Sequence, residues 1–427
     1  MPTLNFEVSR LGDCCISSPM KGTPFIKDDE HVLYQSSVSE IESCLNAGTQ
    51  PPRFELAGPR ERIFFDPSKL TCGIVTCGGL CPGINDVIRA IVMSLFYHYG
   101  VKKVLGFRYG YEGLASRYGH APLSLIPDTV NIIHQMGGTI LGSSRGPQDI
   151  ADMVDTLERT SVGILFTIGG DGTLRGSRAI AEEIERRGLK ISVIGIPKTI
   201  DNDISCVQQS FGFDTAVTES RTALYSAHTE AIGARNGIGL VKLMGRESGF
   251  IAVYATLANS EVNFCLVPEV AFSLPTFLKA LEERLNNRGH ALIVVGEGAG
   301  QYLIEERGNR DASGNVRFGD IGIFLKDEIA SYFKKIGMEV ILKYIDPSYT
   351  IRSMPANARD SAFCLLLGHN AAHAGMAGRT NMVVGFWKNE FTHLPIPAAV
   401  SERKRIDPRG RLWSSVIEST GQPRDMR

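Results

Sequence analysis

The sequence predicts an α/β protein of two lobes, each built on a largely parallel sheet, with an N-terminal extension. From residue 71 onward, short apolar runs such as TCGIVTCGG and SVGILFTIGGDG end in glycine and precede helical patterns. Buried strands that alternate with helices are typical of a parallel sheet covered by helices on both faces. The length of 427 residues also exceeds that of a usual single domain.

The predicted domain boundaries follow changes in composition and in hydrophobic periodicity along the chain. Residues 1–70 are rich in proline and weakly periodic, which predicts an extension draped over a later core. We expect two Rossmann-like lobes facing across a cleft, the first at 71–212 completed by about 345–380, the second at 213–344 completed by about 381–400, and a tail at 401–427. In such sheets, ligands bind at the carboxyl ends of strands.

Composition excludes several classes of function. The 45 basic and 46 acidic residues nearly cancel, which argues against a nucleic-acid partner and favours a small molecule. Nine cysteines without CxxC spacing predict neither a disulfide framework nor a zinc site, and they fit a reduced cytoplasmic compartment. No run of eighteen uncharged apolar residues occurs, so we expect no membrane span.

The first glycine-rich strand end is IVTCGGLCPGIN, in which Gly78 and Gly79 precede a helical pattern. Glycines let a backbone approach a phosphate, and a helix N-terminus offers N–H groups. The segment is neither a P-loop nor a GxGxxG motif, because GK[ST] and the glycine spacing are missing. A tight strand-to-helix turn explains the same glycines, so both interpretations stay open.

The second strand end, TIGGDGTLRGS, places Asp171 among glycines. An aspartate beside phosphate is repelled unless a hard cation lies between them, which suggests a Mg²⁺ ligand. The alternative is an aspartate that caps the following helix.

The third strand end, GIPKTIDNDI, carries Asp201 and Asp203 behind Lys198 and Thr199. Neighbouring carboxylates raise each other's proton affinity and a cation offsets this, so Asp201 is the candidate general base. A solvated, Asx-rich loop is the alternative.

Further charged residues lie in other glycine-containing segments. Arg145 in LGSSRGPQD suits phosphoryl oxygens, whereas the GxSxG match at 142–146 is opposed by Pro147. Segments LMGRESG, VVGEGAG and KYIDPSYTIR supply groups that can contact a sugar phosphate: Arg246, Glu297, Lys343, Tyr349 and Arg352. No HExxH occurs, and the basic tract at 401–411 is interpreted as a solvated face.

Taken in order, GGLCPG, LGSSRG, GGDGT, PKTIDND, LMGR, GEG and YIDPSYTIR resemble the 6-phosphofructokinases over about residues 72–380. The extension and PKTIDND are similar to the long ATP-dependent branch, which lies close to the pyrophosphate-dependent enzymes. The resemblance implies that ATP and fructose 6-phosphate are the substrates, Mg²⁺ is the cofactor, and homotetramers or homodimers form. It also implies that the first lobe binds nucleotide and the second binds fructose 6-phosphate.

The resemblance further implies roles for individual residues. Contacts to ATP fall on Gly78, Arg145, Gly146, Gly170, Asp171, Gly172, Thr173 and Lys198. Contacts to the sugar fall on Thr199, Ile200, Asp201, Met244, Gly245, Arg246, Glu297, Tyr349 and Arg352. Asp201 is the implied proton acceptor, with Arg145, Thr199 and Asp203 as further catalytic residues and Asp171 as the metal ligand.

The phosphoryl donor is expected to depend on Gly172 and Lys198. Glycine in GGDGT leaves room for a nucleotide, whereas Lys198 is shared with the pyrophosphate branch. Gly237 stands where short bacterial enzymes have an arginine that reaches a neighbouring subunit, and KYIDPSYTIR replaces their HIQRGG. The alternatives are a pyrophosphate-dependent enzyme and a non-catalytic regulatory subunit that binds sugar phosphate.

Overall fold

A computed structural model describes residues 6–304 and 318–427 of the chain. It contains two compact units. The first consists of Met1–Thr199, Ile204–Gly212 and Met354–Arg403, and the second of Ile200–Asp203, Phe213–Ser353 and Lys404–Arg427. Residues 1–5 of the predicted extension lie outside the described residues.

The strands in chain order are β1 Ser9–Arg10, β2 Ile16–Ser17, β3 His31–Leu33, β4 Arg53–Leu56, β5 Arg62–Ile63, β6 Thr71–Thr76, β7 Lys103–Phe107, β8 Leu123–Ser124, β9 Val162–Gly169, β10 Ser192–Pro197, β11 Gly237–Leu243, β12 Phe264–Leu266, β13 His290–Gly296, β14 Ile341–Ile345, β15 Arg379–Thr380, β16 Met382–Trp387 and β17 Glu390–Pro395.

The α-helices are α1 Val38–Asn46, α2 Ile84–Met93, α3 Pro127–Val130, α4 Ile150–Arg159, α5 Asp171–Arg186, α6 Phe213–Ile232, α7 Phe250–Leu257, α8 Leu274–Arg288, α9 Ile321–Lys335, α10 Ser348–Ser353, α11 Ala358–Met376, α12 Ile396–Ala399 and α13 Arg411–Thr420. A π-helical turn at Ser94–Tyr99 extends α2, and short 3-10 helices lie at Gly110–Leu114, Ser116–Tyr118, Ile133–Gln135 and Gln301–Leu303. Among the described helices, none combines the length and apolar character that a membrane crossing requires.

The first unit is built on a nine-stranded mixed sheet in the order β3-β4-β17-β16-β10-β9-β6-β7-β8. Its centre, from β16 to β7, is parallel, and the pairs nearer both edges are antiparallel. Strand β6 is buried at every position, which is typical of a strand covered on both faces. The carboxyl ends of β6 and β9 carry glycine-rich segments, and the carboxyl end of β10 is followed by Lys198 and Thr199.

The second unit is built on a four-stranded parallel sheet in the order β12-β13-β11-β14. Its helix α8 begins after Ser273, whose hydroxyl accepts a hydrogen bond from the Thr276 amide, and it ends before Gly289 at φ +75°. These are the cap residues that the sequence SLPTFLKALEERLNNRG presents. The second, parallel sheet that the sequence predicts is therefore observed.

The unit boundaries differ from the expected ones at residues 200–203, which belong to the second unit instead of the first, and in the last quarter of the chain. Residues 381–400 belong to the first unit, because β16 pairs with β10 and β17 pairs with β16. Residues 345–353 belong to the second unit, since β14 ends at Ile345 and pairs with β11, and α10 packs against α6. The segment 404–427, expected as a separate tail, is also part of the second unit, where α13 packs against α7.

The N-terminal extension contributes to the sheet of the first unit instead of lying over a finished core. Strand β4 pairs antiparallel with β17, and a buried ion network joins the same parts of the chain. Glu55 Oε1 accepts from Arg60 at 2.9 Å and from Arg379 at 2.7 Å, and His393 Nδ1 lies 3.2 Å away. Burial opposes ionisation of Glu55, but His393 and Arg379 outweigh it and hold its pKa far below the usual range. The extension is thus fixed by a charged carboxylate.

Candidate active site

In the first unit, the loop after β6 contacts the segment that follows β10 and the loop at 143–145. Gly78 has φ +84°, a conformation that favours glycine. Its carbonyl accepts from the Ser143 hydroxyl at 2.6 Å, and its amide donates to the Ser144 carbonyl at 3.1 Å. Lys198 Nζ donates to the Gly79 carbonyl at 2.7 Å. The structure therefore brings Gly78 and Lys198 together with the loop that carries Arg145.

Arg145 and Lys198 lie close to the glycine backbone. A Cβ atom placed on Gly79 would lie 3.6 Å from Arg145 Nη2, and one on Gly78 would lie 3.7 Å from Lys198 Nζ. Gly146, with φ +100°, ends the arginine-bearing turn. Two cationic side chains beside a backbone without side chains form a cradle suited to an anion. The two interpretations of these glycines, a tight strand-to-helix turn and an anion-binding backbone, are thus compatible in this loop.

The junction of β9 and α5 exposes a helix N-terminus. Gly170 is the N-cap residue, and Asp171 is the first helical residue. Asp171 does not cap the helix with its side chain; it pairs with Arg175 at 3.2 Å, four residues along. Thr173 is buried, and its carbonyl accepts from the Tyr111 hydroxyl at 2.7 Å. The alternative role of Asp171 as a cap of the following helix is therefore not observed, because the helix already includes this residue.

The donor set at this N-terminus fits a Mg²⁺ ion that is shared with a substrate. Asp171 offers one partly exposed carboxylate. No group of three or more His, Cys, Asp or Glu side chains able to hold a metal occurs within 6–304 and 318–427. Mg²⁺ commonly takes one or two carboxylates and fills its other positions with phosphate oxygens and water. One carboxylate at a helix N-terminus satisfies that requirement.

Lys198 and Thr199 directly follow the carboxyl end of β10 in the first unit. The Lys198 amide donates to the Gly169 carbonyl at 2.9 Å, and a Cβ on Gly170 would lie 3.3 Å from the Lys198 carbonyl oxygen. The Thr199 carbonyl accepts from the Ser210 hydroxyl at 2.6 Å. These contacts hold the carboxyl ends of the neighbouring strands β9 and β10 together.

The second unit contains the loop 200–203. Ile200 and Asn202 are buried, whereas Asp201 and Asp203 are partly buried. Asn202 has φ +54°, a left-handed conformation that asparagine tolerates better than most residues. The two carboxylates therefore flank a fixed, strained residue.

A second cluster in this unit joins the ends of β11 and β13. The Glu297 amide donates to the Leu243 carbonyl at 2.9 Å. Any Cβ on Gly298 would overlap the Arg246 carbonyl, so only glycine fits there. Burial raises the pKa of Glu297, while the positive charges of Arg246 and Arg352 act in the opposite direction. Arg246, Glu297 and Arg352 are thus electrostatic neighbours.

The remaining predicted residues of this cluster lie at its edge. Met244 and Gly245 follow β11 directly, and Gly245 has φ +121°. The Arg352 guanidinium lies 4.6 Å from the centre of the Tyr349 ring, which is 76% exposed. Lys343 lies elsewhere, in an exposed ion pair with Glu230 at 3.7 Å. Lys343 therefore belongs to the surface of the unit.

Lys242 is a neighbour of the cluster that sequence reasoning missed. Its ammonium group pairs with Asp320 at 2.7 Å and with Asp346 at 2.9 Å, and these carboxylates raise its pKa despite burial. Asp346 in turn raises the pKa of Glu297. The sequence did contain a signal for Lys242, namely a charged residue within a strand of a parallel sheet, because such strands are otherwise apolar.

Comparison with known proteins identifies the family. The profile described as Phosphofructokinase matches residues 71–375. The chain belongs to the phosphofructokinase family. A protein of Borreliella burgdorferi named ATP-dependent 6-phosphofructokinase is 47% identical, covering 99% of this chain and 98% of its own, and one of the same name from Amycolatopsis methanolica is 45% identical, covering 98% and 95%. The predicted resemblance is thereby confirmed.

The fold is also shared with solved phosphofructokinases. The crystal structure of the pyrophosphate-dependent phosphofructokinase from Marinobacter aquaeolei is similar with a TM-score of 0.68 at 18% identity, covering 82% of this chain and 91% of that one. This likeness confirms the predicted α/β fold with largely parallel sheets.

Proposed function

We propose that this chain is an ATP-dependent 6-phosphofructokinase, which transfers the γ-phosphoryl group of ATP to the 1-hydroxyl of fructose 6-phosphate. The observation that carries the proposal is the cluster of Arg246, Glu297 and Arg352, which offers two cations and a partly buried carboxylate to a phosphorylated sugar. The names of the two relatives, both ATP-dependent 6-phosphofructokinases, support ATP as the donor.

The reaction exchanges one phosphorus–oxygen bond for another. The sugar O1 attacks the γ-phosphorus, the bond from that phosphorus to the bridging oxygen breaks, and ADP leaves with the electron pair. Asp201 accepts the hydroxyl proton, and Thr199 and Asp203 belong to the same segment. Arg145 stabilises the transferred group. In this reaction the chain supplies positioning and charge and forms no covalent intermediate.

The donor is assigned to the first unit. Backbone at Gly78, Gly146, Gly170 and Gly172 admits phosphate oxygens, Thr173 begins the buried side of α5, and Lys198 adds positive charge. Phosphoryl transfer from a nucleotide generally uses a divalent cation, which neutralises the charge that develops on the phosphates. We assign this cation as Mg²⁺ and its protein ligand as Asp171.

The acceptor is assigned to the second unit. Arg246 and Arg352 contact the 6-phosphate, and Glu297 accepts hydrogen bonds from sugar hydroxyls. Ile200, Met244, Gly245 and Tyr349 border the sugar. Steady-state turnover with ATP and with pyrophosphate, measured side by side, tests the whole proposal; activity with neither donor contradicts it.

Pyrophosphate as donor is the second candidate, and Lys198 favours it. The Lys198 ammonium group lies at the glycine loop, where it can neutralise a short, highly charged donor. Gly172 opposes this assignment, since it leaves room for a nucleotide. Turnover that is faster with pyrophosphate would establish the second candidate.

We also propose a cytoplasmic homotetramer or homodimer. The reduced cysteines support the compartment, and the family resemblance supports the assembly. Sedimentation velocity of the purified chain measures the oligomeric state, and a monomer contradicts this part of the proposal.

Asp171→Ala is expected to raise the Mg²⁺ concentration for half-maximal turnover by about 10-fold or more, because the protein ligand is lost. The melting temperature should hardly change, since Asp171 is not a cap and its exposed pair with Arg175 stabilises the helix by less than about 1 kcal/mol. A large fall in melting temperature with unchanged Mg²⁺ dependence would show a structural role instead.

Arg352→Lys is expected to raise KM for fructose 6-phosphate by about 10-fold while KM for ATP changes little, because lysine keeps the charge and loses the bidentate fork. Arg288→Lys, an exposed arginine at the end of α8 in the same unit, is the matched control. Equal effects on both substrates would remove Arg352 from the sugar-phosphate contacts.

A further inference from the structure

The C-terminal segment 404–406 contacts two loops of the second unit. The Lys404 amide donates to the Asp203 carbonyl at 2.8 Å, and Lys404 Nζ donates to Asn202 Oδ1 at 3.1 Å. The Lys404 carbonyl accepts from the Ser248 hydroxyl at 2.7 Å. One residue therefore joins the loop of Asp201 to the loop that follows Arg246.

Arg405 and Ile406, which follow Lys404, make further contacts within the second unit. The Ile406 amide donates to Glu269 Oε1 at 3.0 Å, and the same carboxylate accepts from the Gly249 amide. Ile406 is 3% exposed, so its side chain anchors the segment. Arg405 pairs with Glu247 at 2.7 Å on the surface. The segment thus contacts Glu247 and Ser248 directly, and it shares the Glu269 carboxylate with Gly249.

The position of Lys404 is unusual for a lysine in a basic tract. Its ammonium group lies 5.2 Å from the centre of the Phe250 ring, and burial lowers its pKa to about 8, an effect that Asp203 opposes. The group is mostly protonated at neutral pH and can act as the donor to Asn202. A partly buried cation of this kind is costly unless its hydrogen bonds are kept. The expectation of a solvated face does not hold for this residue.

We propose that Lys404 is a positioning residue that holds the loop 200–203, and with it Asp201, in the geometry that the phosphoryl transfer requires. This inference rests on the proposed function, since it assigns Asp201 the role of base. Lys404 acts through Asn202 and the Asp203 carbonyl. Asn202 is the residue with the left-handed backbone, so its side-chain hydrogen bond stabilises a conformation that is otherwise unfavourable.

The test compares Lys404→Met with Arg409→Met, an exposed arginine on the same segment. Methionine keeps the aliphatic contact with Phe250 and removes the ammonium donor. We expect Lys404→Met to lower kcat by about 10-fold or more, the loss that corresponds to one charged hydrogen bond, with KM for ATP little changed. Lys404→Arg should restore most of the turnover, and Arg409→Met should match the wild type.

Hydrogen exchange provides a readout that does not depend on activity. Amides of residues 200–203 should exchange faster in Lys404→Met than in Arg409→Met. Lower kcat without faster exchange, or faster exchange with unchanged kcat, would overturn the proposal. If Asp201→Asn retains turnover while Lys404→Met shows both effects, the assignment of Asp201 as base fails and the positioning role of Lys404 stands.

Asn202→Gly tests the same hydrogen bond should Lys404→Met not fold. Glycine adopts φ +54° without strain and removes the side chain that carries the amide acceptor. A similar fall in kcat is expected, and the double variant should be no slower than either single variant. Full activity of Asn202→Gly, or additive losses in the double variant, would contradict the proposed contact.

Discussion

Asp201→Asn is expected to lower kcat by at least about 10²-fold, the usual contribution of a positioned general base. An amide of nearly the same shape cannot accept the proton of the sugar hydroxyl, but it leaves the loop geometry in place. Binding of fructose 6-phosphate, measured by calorimetry, should change little. The result would separate proton transfer from substrate recognition.

Asp203→Asn is the matched control for this variant, because it removes the same charge two residues away in the same loop. Its effect on turnover should be smaller, since Asp203 is anchored through its carbonyl oxygen by the Lys404 amide. Near-normal turnover of Asp201→Asn, or a larger loss in Asp203→Asn, would transfer the base role away from Asp201.

Gly172→Asp is expected to lower kcat/KM for ATP by about 10³-fold. Two unit charges about 4 Å apart in a partly screened site interact by about 4 kcal/mol, and a new carboxylate would also fill the space for the α-phosphate. A Cβ at this position meets no described atom within 4 Å outside its own helical turn, and the residue is exposed. The fold should therefore tolerate the change, and the loss would report on the bound donor.

Ala151→Asp is the control for that variant. Ala151 and Gly172 are each the second residue of a helix, in α4 and α5 respectively, and both are exposed. A carboxylate at either helix N-terminus should be neutral or slightly stabilising for the fold. Unimpaired use of ATP by Gly172→Asp would falsify the donor assignment, as would robust turnover of the wild type on pyrophosphate.

The strand ends of the site were predictable because the chemistry is local. A glycine that follows a buried apolar run marks the carboxyl end of a strand, and the adjacent charged residue then lies at the sheet edge. Gly78, Asp171 and Glu297 were found in this way, and each follows the end of a strand in the structure.

Other features depend on residues far apart in the chain and could not be read from local patterns. The sequence of β16 is an ordinary apolar run. It does not specify that β16 pairs with β10 in the first unit instead of completing the second unit. Lys404 was assigned to a solvated face because its neighbours are charged, and only the fold brings it to Asn202. The ion pairs of Lys242 likewise join residues 78 and 104 positions away.

The pairing of β4 with β17 has a consequence for synthesis on the ribosome. Glu55 and Leu56 leave the exit tunnel long before their partners His393 and Thr392 are synthesised. Until then β4 has no partner strand on that side, and Glu55 lacks Arg379. The edge of β4 and the Glu55 carboxylate, which is buried in the folded protein, are therefore exposed to solvent. Nascent chains truncated before residue 390 therefore cannot complete the nine-stranded sheet, and they are natural clients for chaperones and proteases.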